Sequence, residues 1–276
     1  QESYIEVTNH RWFSYPGYNE ILTGKADPRI DSNEKIWNRN VTILETLNEL
    51  DEFHDSVFAF GSWDVFPYII NSQRSGVPVN AGFATASNAA SAESQFLNEL
   101  SAEAPRLWST VRMDFLTNGY AMDALKSHNP RVIYIAYGET DDFAHDGNYD
   151  RYIDAAHRTD LMLSRLWQWV QSTPSYRDRT TLIITTDHGR GSTPDSWKGH
   201  SNAAIQNTQD VESAPDGSQE SNEIWLAAIG PCIKSAGLVK GHWKQSQIAA
   251  TALFCLKLDP TRLMPEADSA ITQILN

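Results

Sequence analysis

An acid and an imidazole sit side by side at Asp187-His188, directly after the run Thr181-Leu-Ile-Ile-Thr185. That run is β-branched and apolar, which predicts a buried strand. Gly189 and Gly191 then punctuate a turn. Open α/β sheets place their chemistry outside the carboxyl ends of strands. A carboxylate beside a neutral imidazole is a ligand pair suited to zinc, manganese or iron. A second pair, Asp141 and His145, follows the apolar run from Val132 to Tyr137. A third imidazole, His200, precedes the apolar run from Glu223 to Ile229. Taken singly, each residue reads more simply as a solvated or capping side chain in a loop. Taken together at consecutive strand ends, they supply most of the donors of two metal shells. Two cations a few Å apart can hold both the entering and the leaving oxygen of an in-line displacement at phosphorus.

Such chemistry needs a nucleophile, and Ser14 is the candidate. Pro16 suits the first turn of a helix that Gly24 ends. Ser14 then stands at the start of that helix, where the dipole favours an anion. The plainer reading is an N-cap serine. With a cation nearby, its hydroxyl becomes easier to deprotonate, as bound water does.

The elements that must position these residues follow from periodicity. Strands are predicted at Tyr4 to Thr8, Ser56 to Phe60, Val132 to Tyr137, Thr181 to Thr185 and Glu223 to Ile229. Helices are predicted at Val41–Leu50, Asp64–Asn71, Ala92–Leu100, Leu107–Ser127, Tyr149–Gln171 and Ile248–Leu258. Residues 25–40, 74–92 and 192–222 read as loop. Strands alternating with helices argue for a layered α/β domain, and no repeat or linker divides residues 1–276. Sequential strands are often sheet neighbours, which would bring the five ligands to one edge.

Composition excludes several classes. The chain of 276 residues carries a net charge of −13 and no Lys/Arg run, which argues against binding duplex nucleic acid. No apolar run approaches a membrane span. Cys232 and Cys255 are too few for a disulfide framework and lie in apolar surroundings, which reads as two inert core thiols. The chain starts at Gln1 rather than Met, as it would if an upstream segment had been removed.

The sequence resembles the alkaline phosphatase superfamily, in particular its nucleotide pyrophosphatase/phosphodiesterase-like branch. The resemblance rests on four stretches in order. They are Ser14-Tyr-Pro16 with Thr23-Gly24, Asp141-x-x-x-His145, Asp187-His188-Gly189, and His200 ahead of a strand ending in Gly230-Pro231. It implies a three-layer α/β sandwich with a central, mostly parallel sheet flanked by helices. It also implies two divalent cations, zinc first, with manganese, iron or magnesium as alternatives. One cation would be held by Asp141, His145 and His200, the other by Asp187, His188 and the Ser14 oxygen. Asn33 matches, across a two-residue gap, an Asn that binds a phosphate oxygen; a cap or turn role is the plainer reading.

The function implied is hydrolysis of a small-molecule phosphoric ester, mono- or diester, through a phosphoseryl intermediate. Tyr18 and Trp197, with Trp12 and Tyr15, are candidates for the substrate's second substituent. Alternatives are a phosphoglycerate mutase-like or sulfatase-like member, or a non-catalytic binding protein with an incomplete metal site. Tyr18 stands where the sulfatase pattern places Arg, which argues against sulfatase chemistry. The family's further Asp, at the end of a first strand upstream of the nucleophile, has no counterpart here. Only Glu2 and Glu6 are acidic before Ser14. The expectation is a single domain, 1–276, lacking that strand. By resemblance, the location is periplasmic or secreted.

Overall fold

The computed structural model describes residues 3–86, 91–202 and 219–276; parts of the two loops expected at 74–92 and 192–222, and Glu2, lie outside the described residues. In chain order the elements are β1 (Tyr4–Glu6), α1 (Ser14–Thr23), α2 (Ile43–Asn48), β2 (Val57–Gly61), α3 (Phe66–Ile69), α4 (Ser72–Ser75), β3 (Val79–Ala81) and α5 (Ala92–Glu103). Then come α6 (Asp114–Ser127), β4 (Val132–Ala136), α7 (Glu139–His145), α8 (Tyr149–Ser172) and β5 (Leu182–Thr185). A 3-10 turn at Gln219–Asn222 leads to β6 (Glu223–Ile224), β7 (Leu226–Ile229), β8 (His242–Lys244), α9 (Gln247–Cys255) and α10 (Pro260–Leu263). The fold is α/β, with a parallel sheet flanked by helices, as the alternation of runs implies. The chain forms two compact units: Gln1–Glu34 with Asn40–Ile43 and Trp169–Asn276, and Lys35–Arg39 with Leu44–Gln168.

The second unit is built on a parallel sheet of order β3-β2-β4. Side chains alternate across a strand, so Phe58 and Phe60 share one face. There Phe60 packs with Leu97 of α5 and Leu116, Tyr120, Ala121 and Ala124 of α6. Burying one such leucine contributes roughly 1.5–3 kcal/mol. Gly61 belongs to the other face, where a Cβ would overlap the ring of Phe66 in α3. β4 ends this sheet, and its residues Val132 to Ile135 are only half-buried.

In the first unit β1 lies between β6, antiparallel, and β8, parallel. Ile5, Val7, Ile224 and Ile271 form its core, with Trp12, Leu226 and Trp243 against them. β5 pairs antiparallel with β7, Leu182 opposite Ile229, and Leu182 to Thr185 are half-buried. Helix α1 packs on α9.

Several expectations are corrected. Helix α6 begins at Asp114, not Leu107, because Val111 bridges Trp63 and the Arg112 N–H donates to the Ser62 carbonyl. β3 lies inside the expected loop 74–92, its three residues too few to show a strand period before β2 pairs them. The run from Glu223 to Ile229 divides at Trp225 between two sheets. The two cysteines are not free thiols. Cys232, after β7, is disulfide-bonded to Cys255 at the end of α9, with Cα atoms 5.2 Å apart.

Candidate active site

Ser14 is the first residue of α1, and the helix is preceded by Phe13, which makes no side-chain cap. The N-cap reading of Ser14 is thereby replaced. Its Oγ lies 3.4 Å from Nε2 of His188. Pro16 falls in the first turn, where its missing N–H goes unneeded. Gly24 ends the helix at φ 71°, a conformation glycine adopts at no cost, and a Cβ there would overlap Ala267. Asn33 Oδ1 accepts from the Tyr15 N–H at 3.0 Å, which seats Asn33 against the same helix end and fixes Nδ2 as its donor side.

The approach to Ser14 is pinned from behind. Glu20, fully buried in α1, accepts from the Thr8 N–H and hydroxyl, and from the Asn9 N–H and side-chain amide, at 2.6–3.1 Å. Burial pushes its carboxyl pKa up, and these four donors pull the other way. Asn9 Oδ1 in turn accepts from the N–H groups of Arg11 and Trp12. Trp12 is thus held at φ 58°, the left-handed region that a large residue seldom occupies.

β5 stops at Thr185, and the turn after it delivers Asp187 and His188. Two neighbours clamp this turn. Gly17 of α1 passes so close that a Cβ would overlap the Asp187 carbonyl oxygen. Gln245, fully buried ahead of α9, donates Nε2 to the carbonyls of Asp187 at 2.7 Å and Thr186 at 3.2 Å. Asp187 Oδ2 lies 3.5 Å from His188 Nε2. His188 and His200 are both buried and stack with ring centroids 3.8 Å apart.

The ring tautomers follow from the partners. A carbonyl oxygen only accepts, so His188 Nδ1 must donate to the Gly189 carbonyl at 2.8 Å, and His200 Nδ1 to the Trp12 carbonyl at 3.1 Å. In the neutral imidazole the lone pair then resides on Nε2 in both rings. Donors that share a tetrahedral zinc at about 2.0–2.1 Å stand about 3.3 Å apart. The separations of 3.4 Å from Ser14 and 3.5 Å from Asp187 to His188 Nε2 match that edge. The donor set therefore fits a divalent cation.

In the second unit, the residues after β4 form the short helix α7 rather than a loop. Spacing i,i+4 puts Asp141 and His145 on one face, with Oδ2 and Nε2 3.2 Å apart. That separation, too, suits donors to one cation. The same helix opens on a buried acid pair. Asp114 accepts from the Gly138 N–H at 2.8 Å, the Glu139 N–H at 3.1 Å and the Ser62 hydroxyl at 2.5 Å. Burial first, and the Glu139 charge second, push the Asp114 carboxyl up to about 7.

Tyr18 lies one helical turn beyond Ser14 and is half-buried. Trp197, also half-buried, lies in the turn before His200, where its carbonyl accepts from Arg190 Nη1 at 3.0 Å. Gly17, Glu20, Gln245 and Asp114 had no sequence motif to announce them. Each acts through a fold contact to a residue distant in sequence or to backbone.

The Metalloenzyme superfamily model matches residues 113–231, a span that contains Asp141, His145, Asp187, His188 and His200. A comparison with curated proteins finds no match. Among solved structures, the lipoteichoic acid synthase LtaP from Listeria monocytogenes is similar at 12% identity and TM-score 0.56, over 93% of this chain and 62% of that one. The phosphonate monoester hydrolase SpPMH from Silicibacter pomeroyi is similar at 14% identity and TM-score 0.55, over 97% of this chain and 71% of that one. The 2-O GAG sulfatase BT1596 is similar at 12% identity and TM-score 0.58, over 99% of this chain and 65% of that one. At such identities the likeness is one of fold, alkaline-phosphatase-like. The chain spans under two thirds of the length of the synthase and the sulfatase.

Proposed function

We propose that this chain is a metal-dependent hydrolase of phosphoric esters in which Ser14 is the nucleophile. The observation that carries the reading is Ser14 Oγ at a helix N-terminus, 3.4 Å from the lone-pair nitrogen of His188. Asp187, His188 and the Ser14 oxygen are read as donors to one cation, and Asp141 and His145 as donors to another. Bound divalent cations, zinc in the first instance, would supply Lewis-acid charge that lowers the serine pKa and offsets charge on the phosphoryl oxygens.

The chain's own groups account for the rest. Ser14 Oγ bonds to phosphorus as the ester P–O bond breaks. The serine proton passes to solvent, and the departing oxygen takes a proton from solvent. Water then attacks phosphorus, the Oγ–P bond breaks, and serine is restored with release of phosphate or its monoester. The positive end of α1 and the Asn33 amide donor meet the charge on the equatorial oxygens. Tyr18 and Trp197 are read as apolar surface for the substituent of a small-molecule ester.

A sulfuric ester is the rival substrate, favoured by likeness to the 2-O GAG sulfatase. Tyr18 at the position of the sulfatase Arg weighs against it. The same reading takes 1–276 as one α/β domain. A periplasmic or secreted location accords with the Cys232–Cys255 disulfide, since such bonds persist in oxidising compartments. Among the described residues, no helix is long and apolar enough to cross a membrane.

The test is turnover of p-nitrophenyl phosphate, bis-p-nitrophenyl phosphate and p-nitrophenyl sulfate with added zinc or manganese. Phosphate-ester hydrolysis that Ser14→Ala abolishes is expected. Turnover of the sulfate alone, or none of any ester by the metal-loaded protein, would overturn the reading.

A further inference from the structure

The helix that carries Asp141 and His145 has only seven residues, too few to hold its own shape. Its position must be set from outside, and the outside contact at its start is unusual. Asp114 is the first residue of α6 and Glu139 the first of α7. The Asp114 carboxylate accepts the Gly138 and Glu139 N–H groups at the start of α7. The Glu139 carboxylate accepts the Asp114 N–H at the start of α6, at 2.8 Å. Each helix is thus capped by the leading residue of the other.

Both acids are 2% exposed. Two adjacent buried carboxylates are costly, and a serine or asparagine would satisfy the same N–H groups without charge. The structure surrounds the pair with support. Arg158 of α8 donates to Glu139 Oε2 at 2.7 Å. From the other side, fully buried Arg112 donates to the Thr117 hydroxyl at 2.8 Å, Thr117 meets Ser62 at 2.8 Å, and Ser62 donates to Asp114. An array running from one arginine to the other therefore holds the first turn of α7, and Asp141 lies two residues beyond Glu139.

We propose that Asp114 is a positioning residue: with Glu139 it fixes the N-terminus of α7 so that Asp141 and His145 present their donor atoms to a divalent cation. This rests on the reading of Asp141 and His145 as metal donors. Residues that orient metal ligands from behind commonly alter affinity 10–100-fold when changed.

The test titrates the full chain with Mn²⁺ or Zn²⁺ by calorimetry, as parent, Asp141→Asn, Asp114→Asn and Glu139→Gln. Circular dichroism and thermal unfolding of each metal-free protein are recorded alongside. Asp114→Asn is expected to bind about 10–100-fold more weakly while still folded, well below its unfolding temperature. A lowered Tm with parental affinity would show a purely structural cap and overturn the inference. Should Asp114→Asn fail to fold, Glu139→Gln decides: its Oε1 still accepts from Asp114 but the charge facing Arg158 is gone. Several-fold weaker binding supports the inference, and parental affinity overturns it. Parental affinity in Asp141→Asn would instead sink the ligand reading beneath it.

Discussion

Ser14 Oγ and His188 Nε2 stand 3.4 Å apart, although 174 residues separate them in the chain. The contact is made by a helix start meeting a strand end, both within one compact unit. His188→Ala should therefore remove one equivalent of bound metal and leave the fold intact. Turnover should fall by more than the 10–100-fold that an orienting residue costs. Elemental analysis of the purified variant, beside its rate, checks both.

Gly17→Ala should be harmful far beyond its size. The added methyl would overlap the Asp187 carbonyl, so either α1 or the Asp187 turn must move. Overpacking of this kind costs about 1–3 kcal/mol. A lowered denaturant midpoint together with weakened metal binding is the expected result; a parental profile in both would refute the clamp.

Gln245→Glu replaces a double donor with a carboxylate facing two carbonyl oxygens. The buried charge would be unpaired, and loss of at least about 2–3 kcal/mol is expected. Gln245→Leu should cost less stability yet still loosen the Asp187 turn. Urea unfolding and turnover measured on both variants separate charge from positioning.

Acid sensitivity should trace in part to Asp27. Bonds from Arg29 first, with the Asn40 amide behind them, hold its carboxyl pKa well below the usual carboxylate range. A depressed folded pKa gives stability that is present above the unfolded value, about 3.9, and lost as pH falls below it. Asp27→Asn should therefore start less stable at neutral pH and lose less between about pH 4 and pH 2. Urea midpoints across that range would contradict this if the two proteins ran parallel.

Reduction of Cys232–Cys255 should destabilise the first unit. The bond closes a loop with a sequence separation of 23, worth about 3 kcal/mol in the chain-entropy view. Dithiothreitol should lower the Tm of the parent and leave a Cys232→Ala/Cys255→Ala double variant unmoved. An equal response in both would show that the cross-link carries no weight.

What the sequence discloses and what it hides divide along chain distance. Asp187 and His188 are adjacent, and Asp141 and His145 are one helical turn apart, so each pair is legible before any fold is known. The strand runs at Val132 and Leu182 are equally plain, being continuous and β-branched. Gln245 has no such mark: it reaches Asp187 only because α9 packs on α1. β3 escapes because Val79-Asn-Ala81, at three residues, is too short to show a period. The disulfide escapes because composition says nothing about two cysteines brought to 5.2 Å by tertiary packing. Asp114 and Glu139 look like ordinary helix-start acids, and only burial reveals that each serves the other's helix.

The turn between the two buried histidines closes on itself. The Gly191 N–H donates to the Gly199 carbonyl, and Ser196 and Trp197 donate to the Thr193 carbonyl within it. His200 beyond it is fastened independently, through Trp12, while Asn202 donates to the Arg11 and His10 carbonyls. Residues 192–198 are therefore closed off between Gly191 and Gly199, and their two ends are tied down as well, the Ser192 N–H to Glu220 and the Trp197 carbonyl to Arg190. The exposed tip at Pro194 and Asp195 stands clear of these ties, so a change there reaches neither imidazole through a hydrogen bond of the turn.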